Sequence, residues 1–369
     1  MAQAVRRVAV TGAAGYLGRA VLAELGRACH GFEQIVALDL RPAPAAVWQP
    51  GVVWERADVR DGAGLAQLFA AYRPDAVVHL ASVPEPPAGM SRQAQYAVDV
   101  LGTRNVIAAA LGAGVRHLVY TSSGAAYGYH PDNPVPLREE HPLRGNEEFP
   151  YAWHKRLAEA ELRAAREHHP ELRQLLLRLC TVLGPGLRNQ ITALWSGPVV
   201  IGVRGSASPF SLIWDRDVAR CIALGLRAGA SGVYNLAGAG TISLREMAAL
   251  ARKPFLPLPP VALAAGLGLA RRLGLSRHGP EQLGFLRYRP VLAADAIATR
   301  LGFRPRLASR EVFALWLAAA QGLPEPACMR RPQEPAPLQG PSPPAAVQPP
   351  PPAARPASDA VPAAGGTAR

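Results

Sequence analysis

Residues 8–18 read Val8-Ala9-Val10-Thr11-Gly12-Ala13-Ala14-Gly15-Tyr16-Leu17-Gly18: a short apolar run, three glycines spaced GxxGxxG, and the start of an amphipathic stretch. The run predicts a buried strand over Val8–Thr11, and the stretch predicts a helix over Leu17–Arg27. The turn between them requires φ values that glycine alone takes cheaply. Its backbone must come close to a pyrophosphate, and the helix must pack tightly on the strand. Unpaired N–H groups at the helix start then face the negative charge. The position between strand and helix separates this pattern from a chance glycine triplet.

The same alternation continues along the chain. Ile35–Asp39, Val52–Trp54, Ala76–Ala81, His117–Ser122 and Leu175–Leu179 read as further strands, with helical patterns at Leu65–Tyr72 and Val98–Leu111 among those between them. Near-continuous apolar strands alternating with helices predict a parallel sheet covered on both faces. Right-handed crossovers make it doubly wound, an α/β Rossmann sheet with ligands beyond the carboxyl ends of the strands. The expected division is a dinucleotide-binding part over 1–185, with 213–248 returning to the sheet, and a small substrate lobe from 186–212 and 249–323. The last 46 residues, Pro324–Arg369, hold 14 of the 37 prolines and few large apolar side chains. Such a segment predicts a disordered, partly polyproline II tail. Its Pro349–Pro352 run is able to dock an aromatic groove, with no partner identified.

Composition narrows the function. The 369 residues allow two domains, and 49% apolar with 18% charged residues excludes disorder of the whole chain. Forty Lys plus Arg against 27 Asp plus Glu give a net charge of +13, but only two are lysines and the arginines form no run. A nucleic-acid partner is therefore not expected. Cys29, Cys180, Cys221 and Cys328 lie far apart, which excludes a disulfide framework and a zinc module. The N-terminus enters a strand without a signal-like apolar region. Leu258–Ala270 is shorter than the roughly 20 apolar residues a bilayer span needs. The expectation is a cytoplasmic protein with a small-molecule substrate, no metal and no membrane span; a homodimer stays open.

Three further positions carry chemistry. Asp39 ends the second strand 21 residues after Gly18. A carboxylate there accepts from a ribose 2′-OH and repels a 2′-phosphate, favouring NAD over NADP; Arg41 would soften the preference. The alternative is an Asp that merely caps the next turn. Tyr151-Ala152-Trp153-His154-Lys155 places a phenol and an ammonium four apart, on one helical face. A nearby cation lowers a phenol's pKa and lets it act as general acid or base. Thr121-Ser122-Ser123-Gly124 ends a strand, and a hydroxyl there can hold a substrate oxygen against the tyrosine. The bland alternatives are a solvated Tyr and Lys and a Ser-rich turn.

Together these residues resemble the extended short-chain dehydrogenase/reductases, in particular the NAD-dependent epimerase/dehydratase group. Asp58-Val59, His79-Leu80-Ala81-Ser82, Arg178–Pro185, Trp214–Ala219, Gly232–Gly238 and Leu301–Pro305 extend the likeness over about residues 5–320. The resemblance implies that Gly12, Gly15, Tyr16, Leu17 and Gly18 hold the pyrophosphate and Asp39 the ribose. Asp58 and Val59 would contact adenine, and Leu80, Ala81 and Ser82 would line the cofactor. Tyr151 would be the acid/base, and Lys155 would lower its pKa and bind the nicotinamide ribose. Ser123 would position the reacting oxygen.

The departures are informative. Gly124 and Ala125 stand where dehydratases of the family place Asp-Glu, so elimination lacks its acid/base pair. Asp99 and Thr181 each replace a usual Asn, and Ser206–Ile213 lacks an arginine often found there. Arg287 or Arg289 remains able to clamp a phosphate. Leu258–Ala270 would line a pocket for an apolar substrate or form lobe core. Three functions follow: a nucleotide-sugar epimerase with tightly held NAD, an NAD(P)-dependent dehydrogenase or reductase of a hydroxysteroid-like or other apolar alcohol, and a non-catalytic dinucleotide-binding sensor or scaffold. The intact Ser123, Tyr151, Lys155 set argues against the third.

Overall fold

Each strand of the sheet enters on β-branched or leucine-rich sequence and leaves into a turn that starts a helix. The computed structural model describes residues 5–43, 51–274 and 279–323. The Pro-rich segment and its expected docking run lie outside the described residues. In chain order the first half comprises β1 (Arg7–Thr11), α1 (Tyr16–Leu25), β2 (Gln34–Asp39), β3 (Val52–Arg56), α2 (Gly62–Tyr72), β4 (Ala76–His79), α3 (Arg92–Tyr96), α4 (Gly102–Gly112), β5 (His117–Ser123), α5 (Pro150–His168) and β6 (Arg173–Leu179). The second half comprises β7 (Thr181–Leu183), α6 (Gln190–Ala193), β8 (Val200–Val203), β9 (Pro209–Phe210), β10 (Leu212–Trp214), α7 (Asp215–Ala228), β11 (Gly232–Leu236), β12 (Ile242–Ser243), α8 (Leu244–Leu250), β13 (Phe255–Leu258), α9 (Pro260–Arg272), α10 (Gln282–Arg287), α11 (Asp295–Arg300) and α12 (Ser309–Ala320).

Among the described residues, seven strands form one sheet in the order β3-β2-β1-β4-β5-β6-β11. Every pairing within it is parallel. This is the doubly wound arrangement, and the strand order reverses between β1 and β4. Val8, Val10, Leu175 and Leu177 point to one face with α1 and α7, whereas Ala9, Val77, Leu118 and Leu176 point to the other with α2, α4 and α5. Burial on both faces explains why these strands read as continuous apolar runs.

The rest of the chain gathers over the strand ends. The pairs β10·β7, β12·β9 and β13·β8 are short, and a third core of Trp195, Phe210, Trp214, Met247, Phe313 and Trp316 lies among them. Ile297 and Phe303 pack in the core beneath β6 and β11, while Leu183, Trp214, Ile242, Leu244 and Met247 pack in the lobe core. Leu258–Ala270 does not join the lobe core: no residue of α9 is buried. No helix among the described residues is long and apolar enough to cross a membrane.

Candidate active site

The site forms where β1 and β4 part. Gly12 follows β1 with a φ of 71°, and a side chain there would put its Cβ 2.6 Å from the Ala81 nitrogen. Only glycine fits this left-handed turn against the neighbouring backbone. A Cβ on Gly18 would lie 2.3 Å from the Gly12 carbonyl oxygen, so helix α1 sits directly on the turn. The first-turn amides of α1 cannot be satisfied by the helix itself. Such a cradle, kept open by missing Cβ atoms at a helix N-terminus, fits a dinucleotide pyrophosphate.

His79 stitches the two strands together beneath the cradle. Its ring nitrogens lie 2.7 Å from the Thr11 hydroxyl and 3.0 Å from that of Thr103. Burial pushes its pKa down to about 3, helped by the Lys155 ammonium, so the ring is neutral.

A single cavity of about 370 Å³ runs from the glycine turn to the lobe. Gly12, Gly15, Tyr16, Leu17 and Gly18 line one end; Leu80, Ser82, Ser123, Tyr151 and Lys155 line its middle. Four of the expected residues stand outside its wall. Ala81 lies behind Gly12, and the Val59 side chain packs against Gly102. Asp58 accepts from the Arg60 guanidinium. Asp39 is buried and accepts from the Ala14 N–H at 3.0 Å, which ties it to the glycine turn, and from the Arg41 backbone and guanidinium. Tyr16 lines the cavity while its phenol donates to Asp215 at 2.6 Å.

Helix α5 presents Tyr151, His154, Lys155 and Glu159 at i, i+3, i+4 and i+8, which is one helical face. The Lys155 ammonium donates to the Thr121 carbonyl at 2.8 Å and the Tyr120 hydroxyl at 3.2 Å. It lies 5.7 Å from the centroid of the Tyr151 ring. Burial pulls its pKa down to about 8, against the opposing pull of Asp99 and Glu159. The Ser123 hydroxyl accepts from the Ala125 N–H at 3.1 Å and shares the cavity wall with the Tyr151 phenol. The phenol's pKa is pushed up, not down. Burial dominates, the Ser123 side chain works against it, and the ammonium is spent on the Tyr120 and Thr121 oxygens.

Beneath these groups lies a polar network that sequence reading missed. Asp99 sits in a π-helical segment, Ala97–Leu101, between α3 and α4. It accepts from the Ser82 hydroxyl, the Val83 N–H and His154 at 3.0, 2.8 and 3.0 Å. Both Asp99 oxygens are thus engaged at once, Oδ1 by the β4-end loop and Oδ2 by His154. Glu159 accepts from Ser122 and, through both oxygens, from Arg178. Arg178 also donates to the Tyr127 hydroxyl and the Glu139 carbonyl. These ions are at most 5% exposed. The pattern Tyr-x-x-His-Lys-x-x-x-Glu carried the signal: a polar residue at each turn of one helical face.

At the lobe end Arg289 enters the cavity, and Arg287 does not line it. The Arg289 guanidinium lies 4.2 Å from the Phe210 ring centroid and 4.0 Å from that of Phe285. Nη1 donates to the Thr181 hydroxyl at 3.2 Å. Its Nε and Nη2 are buried without a partner among the described residues, and burial pulls its pKa down to about 10.

Comparison with known proteins agrees with this architecture. The NAD-dependent epimerase/dehydratase family profile matches residues 8–237. The chain is similar to Rv0501 of Mycobacterium tuberculosis H37Rv, an uncharacterized protein, at 26% identity over 83% of this chain and 82% of that one. It is similar to UDP-glucose 4-epimerase 2 of Oryza sativa subsp. japonica at 33% identity, over 49% of this chain and 45% of that one. Among solved structures, UDP-glucose 4-epimerase of Thermus thermophilus in complex with NAD has a TM-score of 0.66 and 26% identity, covering 86% of this chain and 99% of that one. With more than half of its length matched, the chain belongs to the NAD-dependent epimerase/dehydratase family and is an NAD-dependent enzyme of the extended short-chain dehydrogenase/reductase type.

Proposed function

We propose that the enzyme is a nucleotide-sugar epimerase. The observation that carries this reading is Arg289. A guanidinium held between two aromatic rings, with two nitrogens unpaired in the wall of the catalytic cavity, is built to receive an anion. A diphosphate-linked substrate would meet Arg289 and Thr181 with its phosphates and reach Tyr151 with its sugar. The relatives named as UDP-glucose 4-epimerases support the same class.

The residues divide the work as follows. The glycine turn and the α1 N-terminus hold the pyrophosphate of NAD, Asp39 its adenosine ribose, and Asp58 with Val59 its adenine. Leu80, Ala81 and Ser82 flank the dinucleotide, and Lys155 holds the nicotinamide ribose. NAD, when bound, supplies hydride uptake and return, and a positive ring charge in its oxidised form. Ser123 hydrogen-bonds the substrate oxygen and sets it against the Tyr151 phenol. Tyr151 takes the proton of the secondary alcohol as the C–H bond breaks and gives it back as that bond re-forms. Its raised pKa keeps the resting phenol protonated, so it acts as base only after that proton has passed to solvent, a loss that positive charge entering the cavity would favour.

The test is nuclear magnetic resonance of UDP-glucose and UDP-galactose with purified enzyme, together with its content of copurified NAD. Interconversion without added cofactor supports the proposal. Consumption of NAD in proportion to product would instead support the second reading, a dehydrogenase of an apolar alcohol. Phe210, Phe285, Leu187 and Ile191 in the cavity wall favour that alternative.

A further inference from the structure

We propose that helix α9, with the outer face of the β8·β13 pair, is a docking surface for an anionic lipid bilayer, on which the helix lies in the plane of the headgroups. Pro260 to Ala270 contains no polar side chain, and no residue of α9 is buried. Val261, Leu269 and Leu273 are 80%, 59% and 62% exposed. On the adjoining pair, the register partners Ile201 and Leu256 are exposed as well. A helix apolar all round belongs in a core or against a membrane, and this one is in no core. Its 13 residues span about 20 Å at 1.5 Å each, too short for a hydrocarbon core of about 30 Å but suited to an interfacial helix.

Charge selects the occupant. Exposed arginines bracket the apolar helix: the Arg204 N–H donates to the Leu258 carbonyl just before it, and Arg272 ends it beside Arg271, whose guanidinium is paired with Glu281. Residues 186–212 and 249–323 hold thirteen Lys or Arg against three acidic residues, so ten of the chain's thirteen net charges lie there. Apolar surface flanked by the exposed Arg204 and Arg272 complements anionic headgroups, with their guanidiniums reaching up into them. A second copy fits poorly, because a two-fold contact would set each basic lobe against its own like. The chain's own residues 324–369 bring only Met329, Leu338, Val347 and Val361 as large apolar side chains, too few to cover the helix. No residue of α9 lines the catalytic cavity, so docking leaves that site open.

The test is cosedimentation of the full chain with vesicles of phosphatidylcholine alone or mixed with phosphatidylglycerol. The protein is expected to sediment with the mixed vesicles and less so as salt rises. Val261→Glu/Leu269→Glu should weaken partitioning by about tenfold or more with an unchanged melting temperature, since both side chains are exposed. Val261→Ser/Leu269→Ser gives the same direction should the glutamate pair not fold. Failure to bind mixed vesicles overturns the proposal. So does undiminished binding of the folded variants, which would mean attraction by net charge alone. A dimer that these variants dissociate, without vesicle binding, would assign the surface to a second copy.

Discussion

The two ends of the catalytic cavity are built differently. At the strand ends nearly every polar group already has its partner: Lys155 on Thr121 and Tyr120, Glu159 on Arg178 and Ser122, Asp99 on Ser82, Val83 and His154. At the lobe end Arg289 keeps two nitrogens unpaired between aromatic rings. The first end is arranged before anything binds, as chemistry requires. The second leaves charge unsatisfied, so an anion gains most there. Under the proposed function reaction type and substrate choice therefore sit on different parts of the chain, and they should separate on mutation.

The sharpest separation is in turnover. Tyr151→Phe keeps the ring and removes the proton donor. Turnover in the epimerase assay should fall about 10²–10⁴-fold while NAD affinity by calorimetry stays unchanged. Wild-type turnover would remove Tyr151 from the chemistry.

Glu159→Gln attacks the strand-end network without touching the cavity wall. It leaves the buried Arg178 uncompensated, at a cost of about 3–5 kcal/mol, and should lower the melting temperature by roughly 6–20 °C. Arg289→Met is the mirror experiment. UDP affinity should drop by about 1.5–3 kcal/mol, roughly 10- to 100-fold. The melting temperature should hold, because no carboxylate loses its partner. A stability loss matching that of Glu159→Gln would break the contrast between the two ends.

A smaller effect lies in pH. The folded Lys155 titrates at about 8, below its ordinary 10.5. Below pH 8 the buried ammonium costs stability, and that cost is relieved as pH rises through about 8 toward 10.5. Under the proposed mechanism activity runs the other way, since Lys155 acts there as an ammonium. The pH–rate profile should fall above about 8 while stability attributable to this group does not. A rate flat well past that pH would show the charge is not required. Asp39→Asn should change least. Removing the carboxylate that repels a 2′-phosphate, with Arg41 beside it, should move the NAD-to-NADP affinity ratio about tenfold toward NADP. Titration with both cofactors would expose an unchanged ratio.

Much of the strand-end half was legible in the sequence because its constraints are local. A left-handed turn demands Gly12, a parallel strand buried on both faces demands apolar runs, and Tyr151 with Lys155 needs only the period of a helix. The network beneath was less so. Asp99 and Arg178 reach α5 from the π-helical segment and from β6, and no spacing along the chain encodes a contact between elements. The same limit misplaced Leu258–Ala270, whose apolar composition reads alike whether a helix is covered or bare.

By itself the sequence determined the doubly wound sheet, the glycine cradle and the tyrosine–lysine face, since backbone sterics and side-chain periodicity act over a few residues. Tertiary structure alone decided that the Lys155 ammonium is spent on Tyr120 and Thr121, that burial raises the Tyr151 phenol, that Arg289 and not Arg287 enters the cavity, and that α9 faces outward. Each of these depends on desolvation and on partners that packing brings from distant parts of the chain.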